Sequence, residues 1–302
     1  MASPQPGIFG LGTSHHIHLE LNLTGGPTSD ELAAAVARLR ESAVTTGGAN
    51  IVVGFGAATW AMLADTADQP LGLAPFAPIG RAPATQHDLW VWVHGSGRDV
   101  VFDIARAAVA ALAPVAELVA EQDCFLYRDS RDLTGFIDGT ENPPVEEAVE
   151  VALVADGEPG AGGSFVITQR WVHDLISFHA LSIDEQQNVF GRTKPDSIEM
   201  ADDVKPPTAH IARVVIQDDQ GEEIEIFRRS APYGSVRELG LYFVAFAREP
   251  RRFTTMLQRM FGQTDDGLHD RLTDFTKPVS GAFYFAPSLA ALAKLGKGQT
   301  DG

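Results

Sequence analysis

The 302-residue chain predicts an α+β fold made of two related units with antiparallel sheets. Two observations carry this. Strand-period and helix-period stretches follow one another up to Tyr127 in the order strand–helix–strand–strand–helix–strand, the order of a ferredoxin-like unit. The second half repeats that rhythm less regularly, with no repeat visible in the residues themselves.

His16 to Leu23 alternate polar and apolar without a break. This predicts a half-buried strand with Ile17, Leu19, Leu21 and Leu23 toward the core and His16 and His18 on a solvated polar face. Thr28-Ser-Asp-Glu31 has the spacing of a capping box, and Leu32, Val36 and Leu39 then share one helical face. Ile51–Phe55 and Leu89–His94 read as strands, Val101–Leu112 as an Ala-rich helix and Cys124–Tyr127 as a fourth strand. After a Gly-rich connection at 156–163 come a strand at Ser164–Trp171 and a short helix at Ser182–Phe190. His210–Gln217 and Glu223–Phe227 read as extended runs around an acidic turn, and Leu241–Phe246 as a strand. Pro250 suits the first turn of a helix reaching Phe261, and Gly262 suits its end. The join between the units is expected near residues 120–135, and the tail from Gly296 is expected to fray.

Composition is ordinary for a globular chain, 44% apolar and 21% charged. A net charge of −17 argues against a nucleic-acid partner, which needs a basic face. The single cysteine, Cys124, excludes an internal disulfide, multi-cysteine metal sites and covalent haem attachment through Cys-x-x-Cys-His. The N-terminal residues lack a Sec-type or twin-arginine pattern, and no apolar run is long enough to span a bilayer, so a cytoplasmic location is expected.

The candidate chemistry begins at Arg131-Asp-Leu-Thr-Gly-Phe-Ile-Asp-Gly-Thr-Glu-Asn-Pro-Pro144. Asp138 stands between an apolar pair and a turn. Burial would raise its pKa and backbone N–H groups would lower it, as an acid–base catalyst requires. The bland alternative is an Asx-type turn. His210 follows a double proline that stiffens its approach. A neutral imidazole there suits iron if its other nitrogen finds an acceptor, for which Asp270 is the candidate, but a lone histidine is more often structural than a ligand. Arg228 and Arg229 end a buried-looking run and either pair with a carboxylate or await an anion. Arg192 is a second possible anion clamp. His15, His16 and His18 are a weak metal signal, and Met256 and Met260 read as core.

Gly135-Phe-Ile-Asp-Gly-Thr-Glu-Asn-Pro143, Gly191-Arg-Thr-Lys194, His210, Arg228-Arg-Ser-Ala-Pro-Tyr-Gly234 and Phe275-Thr-Lys-Pro278 resemble, in that order, segments of the dye-decolourising peroxidases. The likeness is to their compact bacterial class B, or P-type, branch and runs from about residue 7 to residue 290. It implies two ferredoxin-like units in a dimeric α+β barrel-like arrangement, residues 1–130 and 131–302, with non-covalent haem b (iron protoporphyrin IX) in the second. By the same resemblance His210 is the metal-ligating proximal residue and Asp270 its hydrogen-bond acceptor. Asp138 and Arg228 are catalytic on the distal side. Arg192 meets a propionate, and Ile137, Gly139, Thr140, Phe243 and Met260 border the cofactor. The implied activity reduces hydrogen peroxide and oxidises dyes, phenolics or similar one-electron donors, through a ferryl intermediate. The family often carries an asparagine where this chain has Ser230, so a distal network completed by water is expected.

Phe246, Leu257 and Phe261 are further candidates for the cofactor wall, and Trp171, Tyr233 and Tyr242 for a surface oxidation site serving bulky donors. The resemblance also implies a homo-oligomer. Some relatives travel inside encapsulin shells, but the tail from Leu292 does not match an obvious targeting tag. The competing functions are a haem-handling protein that turns over peroxide incidentally and a ferredoxin-like module without haem.

Overall fold

The computed structural model describes residues 2–218 and 220–295. Its first half runs β1 (His15–Leu23), α1 (Ser29–Thr46), β2 (Ala49–Phe55), α2 (Ala57–Leu63), β3 (Leu89–Gly95), α3 (Arg98–Leu112) and β4 (Ala116–Phe125). The second half begins with α4 (Val145–Ala152), β5 (Ser164–His173), α5 (Leu175–His179), α6 (Ile183–Phe190) and α7 (His210–Val214). It continues through β6 (Phe227–Arg228), β7 (Ala231–Gly234), β8 (Leu239–Ala247), α8 (Arg251–Met260), β9 (Thr276–Pro278), β10 (Ala282–Ala286) and α9 (Leu289–Lys294).

Local signals set several of these elements. Thr28 and Glu31 form the reciprocal cap of α1: the Thr28 backbone N–H donates to Glu31 Oε2 at 2.8 Å, and the Glu31 N–H donates to Thr28 Oγ1 at 3.3 Å. Leu32, Val36 and Leu39 are then buried, worth roughly 1.5–3 kcal/mol each in surface removed from water. Ser182 and Glu185 form a second capping box at α6, which ends on Gly191 in the left-handed region.

All strands pair antiparallel in one sheet of order β4-β1-β3-β2-β10-β5-β8-β6, with β7 on β8 and β9 on β5. The first four follow the ferredoxin-like order, and β10, from the end of the chain, joins the halves through Phe55 and Phe285. The sheet curls until β7 packs against β4. One face packs on α1, α3 and α8 through Ile17, Leu19, Val91, Val93 and Ile167. The other closes on itself around Val52, Trp90, Trp92, Cys124, Tyr242, Phe246 and Tyr284.

That closure overturns the expected polar face of β1: His16, His18 and Glu20 are buried, because the second half of the sheet covers the side that one unit alone would leave to water. The strand expected at Cys124–Tyr127 begins earlier, at Ala116. Its outward positions are polar or exposed, so it lacks a clear alternating signal. His210–Gln217 is not extended: its first five residues form α7, since the turn after Pro206 and Pro207 leads straight into helical backbone. Glu223–Phe227 contributes only an isolated bridge, Gln217 to Glu223, before the two-residue β6. The tail from Gly296 lies outside the described residues.

Candidate active site

The loop that carries Asp138 is held by its own side chains. Asp132 Oδ2 accepts from the backbone N–H of Thr134 at 2.9 Å and from its hydroxyl at 2.6 Å. Gly135 then takes φ +91°, where a Cβ would meet Lys194 Cε at 2.8 Å, so only glycine fits without a shift. The Arg131 guanidinium donates to the carbonyls of Gly135, Lys194 and Pro195, each at 2.8 Å, and pins the loop to the segment after α6. Phe136 is buried against Phe190, with ring centroids 4.0 Å apart. The next side chains turn toward a cavity. Gly139 (φ +76°) brings its N–H to Asp138 Oδ1 at 2.8 Å. Asn142 clamps this loop to β6: its Nδ2 donates to the Arg228 carbonyl at 2.8 Å, and its Oδ1 accepts from the Arg228 N–H at 2.9 Å. Two residues 90 positions apart in sequence thus face one space.

His210 enters the same space from the first position of α7. Its Nδ1 lies 2.6 Å from Oδ2 of Asp270, which is buried and whose Oδ1 accepts from the Leu272 N–H at 2.9 Å. An ionised carboxylate only accepts, so Nδ1 carries the proton and Nε2 keeps its lone pair for a ligand.

The cavity between these groups measures about 1430 Å³ including its open mouth. Ile167, Leu241, Phe243, Phe253, Leu257 and Met260 make its wall largely apolar. Its polar lining includes Asp138, Arg228, Arg192, His210 and Gln169, with the further acids Asp132, Glu141, Glu223 and Glu225. Arg228 Nε is buried without a hydrogen-bond partner among the described residues, a cost of about 1–3 kcal/mol unless something in the cavity accepts from it. Such a space would suit a flat, largely apolar metal-bearing cofactor with anionic substituents. His210 would hold its metal and Arg192 a carboxylate at its rim. Arg192 is already paired with Glu141 and, at 3.4 Å, with Glu199.

Electrostatics divides the acids. Burial raises the pKa of Asp138, Arg228 beside it pulls the other way, and the charge of Asp132 adds to the rise. Asp132 is buried too, but the electrostatic pull of His173 beside it, with hydrogen bonds to His173 (3.0 Å) and Thr134, outweighs burial and holds it at about 2. Of these two aspartates, Asp132 is therefore locked as an anion while Asp138 is tuned toward proton exchange.

Of the residues singled out from sequence, Ile137, Asp138, Gly139, Thr140, Arg192, His210, Arg228, Phe243 and Met260 all line the cavity, and Asp270 stands behind His210. Ser230 does not line it. Its hydroxyl meets the backbone of Val244 at 3.3 and 3.4 Å, in the irregular stretch between β6 and β7. Phe246 belongs to the inside of the curled sheet, and Phe261 packs beside Trp171. Trp171, Tyr233 and Tyr242 are buried rather than at the surface. Among the described residues no group of three or more His, Cys, Asp or Glu is arranged to hold a metal, which removes the His15–His18 signal. Sequence reasoning missed the clamp of Asn142 on Arg228, Gln169 and the Asp132–His173 pair. The Asx spacing of Asp132 and Thr134 was the only local sign of any of them.

Comparison with known proteins agrees with this geometry. The profile of the Dyp-type peroxidase N-terminal domain matches residues 13–126, and that of the C-terminal domain residues 129–291. A dye-decolorizing peroxidase of Mycolicibacterium paratuberculosis is 42% identical over 215 residues, which cover 70% of this chain and 61% of that protein. This chain thus spans about three-fifths of that relative's length. A variant of Rhodococcus jostii RHA1 DypB, solved in complex with heme, superposes with a TM-score of 0.87 at 34% identity, covering 94% of this chain and 96% of that one. The encapsulated DyP-type peroxidase from Mycobacterium smegmatis superposes at 0.89 with 32% identity, over 99% of each chain.

Proposed function

The chain belongs to the Dyp-type peroxidase family, and from that premise we propose that it is a haem b peroxidase that reduces hydrogen peroxide and oxidises dyes, phenolics or similar one-electron donors. The observation that carries this reading is the His210–Asp270 bond, which leaves Nε2 of His210 in a cavity shared with Asp138 and Arg228. When bound, the haem supplies the iron at which peroxide reacts and the oxidising equivalents that donors consume. His210 would hold the iron, and Asp270, by accepting from Nδ1, makes the imidazole a stronger electron donor. Asp138 takes a proton from one peroxide oxygen and returns it to the other, which its raised pKa suits. Arg228 offers its unpartnered Nε–H to the negative charge that develops on the departing oxygen. Ser230, turned to Val244, takes no part.

The test is the absorption spectrum of the purified protein, expressed with a haem supply, before and after one equivalent of hydrogen peroxide. A Soret band that responds to peroxide, and is lost in His210→Ala, is expected. If Asp138→Asn and Arg228→Leu both keep full peroxide reactivity with haem bound, the protein handles haem and is not a peroxidase.

The division at residues 1–130 and 131–302, with haem in the second unit, is part of the same reading and is supported by the gap between the two matched profiles. So are a free, homo-oligomeric cytoplasmic protein and the lack of a nucleic-acid partner, the last supported by the charge of −17. No described helix is long and apolar enough to cross a membrane. Co-purification with a shell protein would argue against the free form.

A further inference from the structure

A second set of oxidisable side chains lies inside the curled sheet, behind the cavity wall. Glu20 of β1 is 6% exposed there. Its Oε1 accepts from the hydroxyls of Thr168 (3.2 Å), Tyr242 (3.3 Å) and Tyr284 (3.4 Å). Its Oε2 is 4.0 Å from Nε2 of His87, whose side chain is 22% exposed. Both phenols are buried. Leu241 and Phe243, the chain neighbours of Tyr242 on β8, line the cavity, so the phenol stands one strand thickness behind it.

An oxidised phenol is a very strong acid, so a tyrosine gives up an electron readily only if its proton leaves with it. Glu20 provides the acceptor within hydrogen-bond reach, and His87 provides the way to solvent. Of the neighbouring indoles, Trp92 has an acceptor of its own, His16 Nδ1 at 3.3 Å from its Nε1. Trp90 Nε1 is buried with no partner among the described residues. Trp92 has the Arg229 guanidinium 5.1 Å from its ring centroid, and a cation there opposes loss of an electron. Tyr242 instead stacks at 4.2 Å on His18, which burial keeps neutral.

We propose that Tyr242 and Tyr284, sharing Glu20, form an internal oxidation site that supplies an electron to the peroxide-oxidised haem centre when no donor is present. This rests on the haem peroxidase reading. In the step the centre gains one electron and Tyr242 loses one. The phenolic O–H bond breaks, its proton bonds to Glu20 Oε1, and a neutral phenoxyl radical remains. A phenolic donor later returns the electron, and the proton goes back from Glu20. Tyr284, on the same carboxylate oxygen, exchanges with Tyr242 by the same transfer.

The experiment is electron paramagnetic resonance of the holoenzyme, frozen after one equivalent of hydrogen peroxide without donor, with the Soret band followed in parallel. A tyrosyl radical is expected, identified by the collapse of its hyperfine pattern with ring-deuterated tyrosine. It should vanish in the Tyr242→Phe/Tyr284→Phe double variant while the Soret response persists. Glu20→Gln, which keeps the shape but cannot take up the proton, should lower its yield by roughly 10²-fold or more, the scale of losing a positioned proton acceptor. If the double variant does not fold, each single Tyr→Phe variant should lose part of the signal. A peroxide-responsive Soret band with no tyrosyl radical, or a radical unchanged in these variants, overturns the proposal. A protein with no Soret band instead overturns the haem reading, and this proposal with it.

Discussion

Nδ1 of His210 donates to Oδ2 of Asp270 at 2.6 Å, and the accepting carboxyl is out of contact with water. The bond joins α7 to the segment after α8, residues 60 positions apart. It fixes both the tautomer and the direction of the imidazole. Asp270→Asn keeps the size but removes the charge. It is expected to weaken haem binding roughly 10–100-fold, the range for losing such a supporting partner. A haem titration of the apoprotein checks this, and an unchanged affinity would show that the carboxylate does not orient the ligand.

Asp138→Asn should slow the reaction with peroxide by roughly 10²–10⁴-fold and leave the Soret band intact, since the amide cannot accept a proton. In the native protein the rate should fall as pH drops through a midpoint above the ordinary carboxyl value, because burial raises this pKa. The stability consequence has a definite sign. A raised carboxyl pKa means that the folded protein binds the proton more tightly, so stability falls as pH rises from the ordinary value through the raised one. Asp138→Asn should therefore melt higher than the native protein at neutral pH, and the difference should close in acid. Stopped-flow absorbance and thermal melts at several pH values read both effects.

Asp132 has the opposite sign. Held at about 2 by His173 and Thr134 against an ordinary 3.8, it contributes about 2 kcal/mol. That contribution is present above pH 3.8 and lost as pH falls toward 2. Urea unfolding of Asp132→Asn should show the deficit at pH 6 and a smaller one at pH 3. Removing this charge also removes one cause of the raised pKa of Asp138, so the acid limb of the peroxide rate should move to lower pH. An acid limb that stays in place would disconnect the two carboxyls.

Arg228→Leu should cost roughly 10²–10³-fold in the peroxide reaction, as loss of one preorganised donor does. Ser230→Ala should stay within about twofold and change stability by no more than about 0.5 kcal/mol, because its hydroxyl serves Val244 and not the cavity. A large loss in Ser230→Ala would return that hydroxyl to the distal side.

Much of the site was legible because its signals are local. The turn around Asp138 is written in neighbouring glycines and Asn142, and the cap of α1 in Thr28 and Glu31. The double proline marked the approach to His210, although the helix that follows it was hidden by a β-branched run. The direction of Ser230 was not legible. Its register on β8 is unbroken, Arg228 to Ala245 and Ala231 to Tyr242, so alternation would have placed Ser230 on the side of Arg228, whereas its hydroxyl bonds to Val244.

From sequence alone came the alternating β1, the capped helices, the order of elements and the chemistry available at Asp138, Arg228 and His210. Tertiary structure alone decided that the polar side of β1 is buried. Half a sheet leaves that side to water, and only when β7 reaches β4 do His18 and Glu20 come to lie among Trp90, Tyr242 and Tyr284. The physical reason is range: caps and turns depend on neighbours a few residues apart, whereas which face of a strand is dry depends on what the rest of the chain lays over it.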